Sequence, residues 1–277
     1  MNKSNNSGIS SYEKGFVTIA TGKDEYYRLA HNLLLSYKFF TKKPLPFALI
    51  CDRKNEYTSD FDQIVLMENP YCTSLDKLKL INLSPFEGNI FIEADCLAYK
   101  DLNGLWDIFE GCPDFCTLGT RLSLQSEKGW FRRCDVGEFQ DMIHFCLIFQ
   151  GGVYFIRRRQ DGLGFFSKVC EYVHKNYKKY RFRFFSEPQE EAIFSLASAI
   201  CNYPPQMDWK KVFCYLPMSD ILKIDISKGI LEYTMIRNSE TFFYNDKFLV
   251  HFGTSATRKA LYNEQVQILR SHMKEEL

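Results

Sequence analysis

The sequence contains no apolar run near the ~20 residues that a membrane-spanning helix needs. It holds ten cysteines but no C-x-x-C pair; Cys112 and Cys116 stand four apart and the others are irregularly placed. Neither a zinc ligand set nor a disulfide framework is written in that spacing. The thiols read as small hydrophobes in a reducing cytoplasm. Excess charge is also missing. The 35 Lys+Arg against 34 Asp+Glu leave a formal net charge of +1, too little to act as a steering field for nucleic acid. No Gly-rich basic loop follows the first apolar run. Thr21-Gly22-Lys23 is too meagre for one, which counts against a nucleotidyltransferase that makes sugar nucleotides. There is no internal repeat. Met1–Ser11 is polar, rich in Asn and Ser, and without the apolar stretch of a signal peptide, so it reads as a disordered lead-in.

What is present is a large apolar inventory. With 277 residues and 45% hydrophobic content, including 25 Phe and 16 Tyr, one large core is expected, and no linker demands a second domain. Short apolar runs at 15–20, 47–51, 63–67 and 89–92 read as buried strands. Between and after them, Asp24–Phe40 shows apolar residues at three- and four-residue steps, with Tyr26 on that stripe, and Leu75–Leu83 reads as a short helix. Alternation of this kind predicts an α/β domain with a mainly parallel central sheet flanked by helices. Ligands of such sheets bind at the carboxyl ends of strands, where Thr21, Asp52 and Glu93-Ala94-Asp95 fall. Helices are further expected over 101–109, 161–180, 189–201 and 260–273. The stretch from Gly111 to Asp141 reads as a long irregular excursion. Strands are expected at 145–149 and 153–156, separated by Gln150-Gly151-Gly152. A glycine pair inside a strand pattern marks a bulge or a ligand close to the backbone. Late strands are expected at 230–236 and 247–250.

Two carboxylates at positions 93 and 95 repel one another if held close, and a divalent cation removes that conflict. Mn²⁺ or Mg²⁺ prefers oxygen ligands and can bridge carboxylates to a diphosphate. The segment Asn89-Ile90-Phe91-Ile92-Glu93-Ala94-Asp95-Cys96-Leu97-Ala98, continuing through Asp101-Leu102 to Leu105-Trp106, resembles the D-x-D region of GT-A nucleotide-sugar glycosyltransferases, family 8, the glycogenin group. Glu93 departs from the usual Asp. The resemblance covers roughly residues 15–259. It implies a single GT-A-like (Rossmann-like) domain over 12–259 and a C-terminal amphipathic helix over 260–277. It also implies a hexosyltransferase that uses Mn²⁺ (or Mg²⁺) and a UDP-sugar donor, with retention of configuration.

Residue by residue, the resemblance implies the following. Val250-His251-Phe252-Gly253 looks like the late family segment whose histidine joins Asp95 and Glu93 on the metal. Arg258 and Lys259 stand later than the family's phosphate lysine. Ala20 and Thr21 match the backbone that grips uracil, and Tyr26 or Tyr27 would stack on that base. Tyr27 is the more available of the two if Tyr26 belongs to the buried stripe. Asp76-Lys77-Leu78 looks like T-K-L, placing Lys77 near donor phosphates or sugar, with Lys79 as the alternative. Gln150, Gly151 and Gly152 resemble the N-[ST]-G segment that lines the sugar pocket. Glu187 to Glu191 resembles D-x-x-D-Q, so Glu187 would help bind the donor, and Glu190 would join Glu191 in the catalytic pair, holding acceptor or sugar. Glu191 would put a carboxylate where the family has an amide, to stabilise an oxocarbenium-like transition state or attack it. The acceptor would be a glycan, a lipid-linked sugar or a protein. The basic run Arg157-Arg158-Arg159 with Lys175, Lys178, Lys179, Arg181 and Arg183 reads as a solvated face or as a contact for an anionic membrane surface. Cytoplasmic placement, at the inner membrane surface, follows from that reading, and nucleic acid is not expected. The departures at Glu93, Gln150 and Glu191 keep a second function open, that of a paralogue binding sugar nucleotides without turnover.

Overall fold

A computed structural model describes residues 12–158, 163–184, 186–237, 240–253 and 256–275. The expected lead-in over residues 1–11 lies outside the described residues. The apolar runs form β1 (Lys14–Ala20), β2 (Phe47–Cys51), β3 (Gln63–Leu66) and β4 (Gly88–Ile92). β1 pairs in parallel with β2 and β4, and β2 with β3. Side chains alternate across the sheet, so Phe16 and Ile90 enter one core and Val17 and Phe91 the other. α1 (Asp24–Phe40) packs on the first face through Tyr27, Ala30, Leu33, Leu34 and Tyr37. Asp24 and Glu25 in its first turn suit the positive end of the helix dipole.

Two expected helices are shorter and tighter than their patterns. Over 75–83 a 3₁₀ turn, Ser74–Lys79, leads into α2 (Leu80–Leu83). Over 101–109 a turn at Leu102–Gly104 precedes α3 (Leu105–Ile108). Between them, β5 (Cys96–Ala98) follows the acidic tripeptide directly.

The stretch expected to be irregular contains β6 (Phe115–Leu122), an edge strand of the main sheet. Gly119 and Arg121 hide its period, yet Phe115, Cys116 and Leu118 are fully buried or nearly so. The two strands expected around the glycine pair are one, β7 (Cys146–Arg157), antiparallel to both β4 and β6. The glycines do mark a bulge. Steps 117 to 119 on β6 face 149 to 154 on β7. The sheet order is β3-β2-β1-β4-β7-β6, parallel over its first four strands. The helix expected over 161–180 is α4 (Gly164–Lys175), with residues 161–162 outside the described set. α5 (Glu190–Cys201) ends on Asn202, which takes the left-handed conformation at φ 56°. Both helices cover the second face of the sheet.

Besides β5, three short strands have no counterpart among the expected ones: β8 (Phe213–Tyr215), β9 (Asp220–Asp225) and, after β10 (Ile230–Arg237), β11 (Glu240–Tyr244). β9, β10 and β11 form an antiparallel sheet. β12 (Leu249–His251) inserts between β5 and β8 to form a third sheet. α6 (Ala256–Glu275) begins before residue 260, so a division at 259/260 falls inside it. It joins the main core through Tyr262, Val266 and Leu269, and Asn32 Nδ2 of α1 donates to Tyr262 Oη at 3.1 Å. All ten cysteines are free thiols. Among the described residues, no helix is long and apolar enough to cross a membrane.

Candidate active site

β4 delivers the chain to Glu93 at the carboxyl edge of the sheet. There the backbone turns, with Glu93 N donating to Gly152 O at 2.9 Å and Cys96 N to Glu93 O at 3.0 Å. That turn lets both carboxylates point the same way. β12 then lies against β5 with His251 opposite Cys96. One ligand atom from each of Glu93, Asp95 and His251 falls within 4.8 Å of the others. His251 Nε2 is 3.0 Å from Asp95 Oδ1 and 3.4 Å from Glu93 Oε2. Gly253 N donates to Asp95 Oδ2 at 3.1 Å and fixes that carboxylate. Asp95 Oδ1 is buried and, despite its closeness to the imidazole, has no hydrogen bond of acceptable geometry. Burial works against ionised Asp95, but His251 outweighs it and holds the carboxyl below its ordinary range. Burial likewise disfavours the imidazolium, yet Asp95 and Glu93 raise its pKa. Glu93 is pushed up by burial, against the pull of Lys77 and His251.

Lys77 is no solvated helix residue. Its ammonium lies 2.7 Å from Glu93 Oε1 and 2.8 Å from Glu190 Oε1, with a side chain only 9% exposed. Burial lowers its pKa and the two carboxylates more than reverse that. Lys79, the alternative, is half-buried and donates to the carbonyls of Glu68 and Asn69. Beside Lys77, Gly151 N donates to Glu191 Oε1 at 2.6 Å. Burial, then the neighbouring Glu190, pushes the Glu191 carboxyl up to about 7. The glycine pair is required here. A Cβ on Gly151 would stand 2.9 Å from Oε1 of both Glu190 and Glu191. A Cβ on Gly152 would stand 2.9 Å from Gln150 Oε1 and 3.2 Å from His251 Nδ1. Gln150 Oε1 accepts from Gly152 N at 2.8 Å and faces His251 Nδ1 at 3.2 Å. Glu187 is exposed before α5 and makes no described contact with this cluster.

A cavity of about 460 Å³ opens beside the acids, lined by Thr21, Tyr26, Lys77, Glu93, Asp95 and Lys259 among others. Here the order of the two tyrosines is reversed from expectation. Tyr26 is 41% exposed and faces the cavity, whereas Tyr27 is fully buried. Tyr27 belongs to the core stripe of α1, and its hydroxyl donates to Asp52 Oδ1 at 2.5 Å. Ala20 is buried, while Thr21 Oγ1 donates to Asp76 Oδ2 at 2.7 Å. Asp76 also accepts from the amides of Tyr71 and Cys72, at 2.7 and 3.0 Å, and so shapes the cavity wall. Lys259 lines the cavity while pairing with Glu25 at 2.9 Å.

No family model matches the sequence, and no curated protein matches it. Solved structures do. A galactosyltransferase, LgtC, in complex with donor and acceptor sugar analogues superposes with a TM-score of 0.57 at 13% identity, over 91% of this chain and 95% of that one. The fold is GT-A-like. An active-site glutamine-to-glutamate mutant of LgtC gives a TM-score of 0.55 at 14% identity over the same shares of the two chains. WbbM, a bifunctional glycosyltransferase, gives 0.52 at 14% identity, over 76% of this chain but 41% of its own. In this GT-A-like domain the sequence reading located the acids, the histidine and the glycine bulge. The organising role of Asp76 left no signal in the sequence.

Proposed function

We propose that the chain is a metal-dependent glycosyltransferase that moves a hexose from a UDP-sugar to an acceptor hydroxyl with retention. The convergence of Glu93, Asp95 and His251 within 4.8 Å, beside a 460 Å³ cavity, carries this reading. Two carboxylates and an imidazole suit Mn²⁺ or Mg²⁺. The fit is supported by Asp95 Oδ1, a buried acceptor with no hydrogen bond, which is what a cation ligand leaves when considered without its ion. Such a cation supplies charge stabilisation for the departing nucleotide diphosphate.

The remaining work falls to the protein. Gly253 N holds the Asp95 carboxylate in place. Gln150 Oε1 already accepts from Gly152 N, so His251 Nδ1 donates to it and Nε2 is the nitrogen turned toward the carboxylates. With Nδ1 as the donor, the neutral ring leaves the Nε2 lone pair free to ligate. Tyr26 offers an exposed ring for the base. Lys77 is saturated by two carboxylates, so it fixes Glu93 and Glu190 rather than reaching for phosphate. Glu190 and Glu191 place negative charge beside the glycine bulge, where a cationic sugar transition state gains from it. Exposed Lys175, Lys178, Lys179 and Arg181 fit an anionic membrane surface, consistent with a cytoplasmic enzyme acting on a glycan, lipid-linked or protein acceptor at the inner face.

The test is UDP release from a panel of UDP-sugars with Mn²⁺, with and without EDTA. Release that EDTA abolishes is expected. UDP-sugar binding without any release, or pyrophosphate formed from UTP and a sugar phosphate, would replace this reading with one of the two rivals.

A further inference from the structure

β8 is one of the strands with no counterpart in the sequence reading, and it ends on a residue that belongs to the site. It runs parallel to β12 in a register that sets Tyr215 opposite His251. On the far side of β12, antiparallel β5 sets Cys96 opposite the same histidine. The third sheet therefore carries, in one row across its strands, the residue after Asp95, the imidazole, and Tyr215. The Tyr215 ring centroid lies 5.1 Å from the His251 ring and 6.0 Å, edge-on, from Trp209, and Phe213 lies 6.4 Å from the His251 ring. Phe213 and Trp209 are buried, but Tyr215 is only partly so.

The Tyr215 hydroxyl stands in the field of the reacting groups. Burial raises its pKa first, then the carboxylates of Glu191, Glu93 and Asp95 add to the effect, and Arg258 opposes them. A phenol keeps its proton at neutral pH, so the tip is a hydrogen-bond donor. No described hydrogen bond uses that hydroxyl; the backbone carbonyl of Tyr215 accepts from Ser219 Oγ at 2.9 Å. A half-buried phenol with an apolar body and an unengaged tip is built to meet a polar group brought by a ligand. A Cβ on Gly152 would stand 3.2 Å from His251 Nδ1 and 3.4 Å from Phe213 Cζ, so the row of β8 and β12 rings that includes Tyr215 flanks the glycine bulge, and the lining of the nucleotide cavity does not include Tyr215.

The geometry points to Tyr215 as a substrate-contacting residue whose phenol binds a saccharide hydroxyl beside the Gly151–Gly152 bulge. This assignment rests on the glycosyltransferase reading and deepens it. The hydroxyl belongs to the transferred sugar or to the accepting one, and the Tyr215→Phe variant separates them because it keeps the ring against His251 and removes only the tip.

Calorimetry with Mn²⁺ would compare UDP and a UDP-hexose on wild type and Tyr215→Phe. Turnover of the same UDP-hexose would be split into transfer to an acceptor sugar and transfer to water. If the donor sugar is held, the variant keeps its UDP affinity and loses about three- to tenfold in UDP-hexose affinity, the worth of one neutral hydrogen bond. If the acceptor is held, both affinities persist, hydrolysis persists, and the transfer-to-hydrolysis ratio falls by the same factor. An unchanged affinity ratio together with an unchanged transfer-to-hydrolysis ratio overturns the role of Tyr215 while leaving the enzyme reading intact. Failure of wild type to bind UDP at all overturns the glycosyltransferase reading and the Tyr215 assignment with it.

Discussion

Asp95→Asn isolates the proposed cation site from the fold. The amide is nearly isosteric, and its carbonyl oxygen still accepts from Gly253 N, now 3.1 Å from Oδ2. What disappears is the charge beside His251 and the anionic oxygen that lacks a hydrogen bond. Losing the attraction to His251 destabilises the cation-free protein, and losing the repulsion from Glu93 offsets part of that, so the thermal midpoint without metal should move little. Cation binding should suffer heavily. Removing even an outer-shell partner costs about 10–100-fold in metal affinity, and a direct carboxylate ligand should cost at least the upper figure. At a Mn²⁺ concentration of about 100 times the wild-type Kd, linkage stabilises wild type by about 2.7 kcal/mol. A hundredfold weaker Kd leaves about 0.4 kcal/mol at the same concentration. At about 2–4 °C per kcal/mol, the Mn²⁺-induced shift should fall from roughly 5–10 °C to about 1 °C. Differential scanning fluorimetry reads this without any assumption about substrate, and UDP-sugar turnover should drop by at least about a hundredfold in parallel. A variant that keeps the full Mn²⁺ shift, or full turnover, would refute Asp95 as a ligand.

Three further outcomes follow from the same geometry. Lys77→Met leaves Glu93 and Glu190 without their shared cation; roughly 3–5 kcal/mol should be lost in urea unfolding at pH 7, and the deficit should shrink at pH 4 as Glu93, whose pKa burial raises, protonates. Glu191 binds its proton more tightly folded than unfolded, because folding lifts its pKa from 4.5 to about 7, so it erodes stability as pH rises through that window. Glu191→Gln should therefore gain about 1–3 kcal/mol over wild type at pH 8 and almost nothing at pH 4 in metal-free unfolding curves; equal gains at both would contradict the raised pKa. Tyr26→Ala should weaken UDP binding by about tenfold with little loss of stability, from the worth of base stacking, while Tyr27→Phe should cost stability through the lost bond to Asp52 and spare UDP affinity.

The parts of the fold that were legible are those with one dominant local signal. β1, β2 and β4 are continuous apolar runs because the sheet buries both faces, and α1 and α5 carry a long stripe. β6 was read as loop because Gly119 and Arg121 interrupt it, and its strand character comes from pairing with β7 across a bulge. Strands of three residues such as β8 are too short to show any period. Tyr26 and Tyr27 both fit a helical stripe to within one residue; Tyr27 is the ring that turns inward, where its hydroxyl bonds Asp52, 25 residues on. The motif residues were visible as motifs, but the burial of Lys77 was not. A lysine on a short helical turn reads as solvated until two acids from distant segments close over it.

The middle strand of the β5–β12–β8 sheet has a consequence for how the protein comes to be active. Asp95 and the amide of Gly253 that fixes it are 158 positions apart, so the loop between them must close before the centre exists. Contacts of such long range form slowly and late. A nascent chain paused before residue 249 would already carry the six-stranded sheet yet would have no imidazole to offer its acids. Catalytic competence should thus lag behind the appearance of secondary structure during refolding, and the delay would time the docking of three residues into a waiting slot.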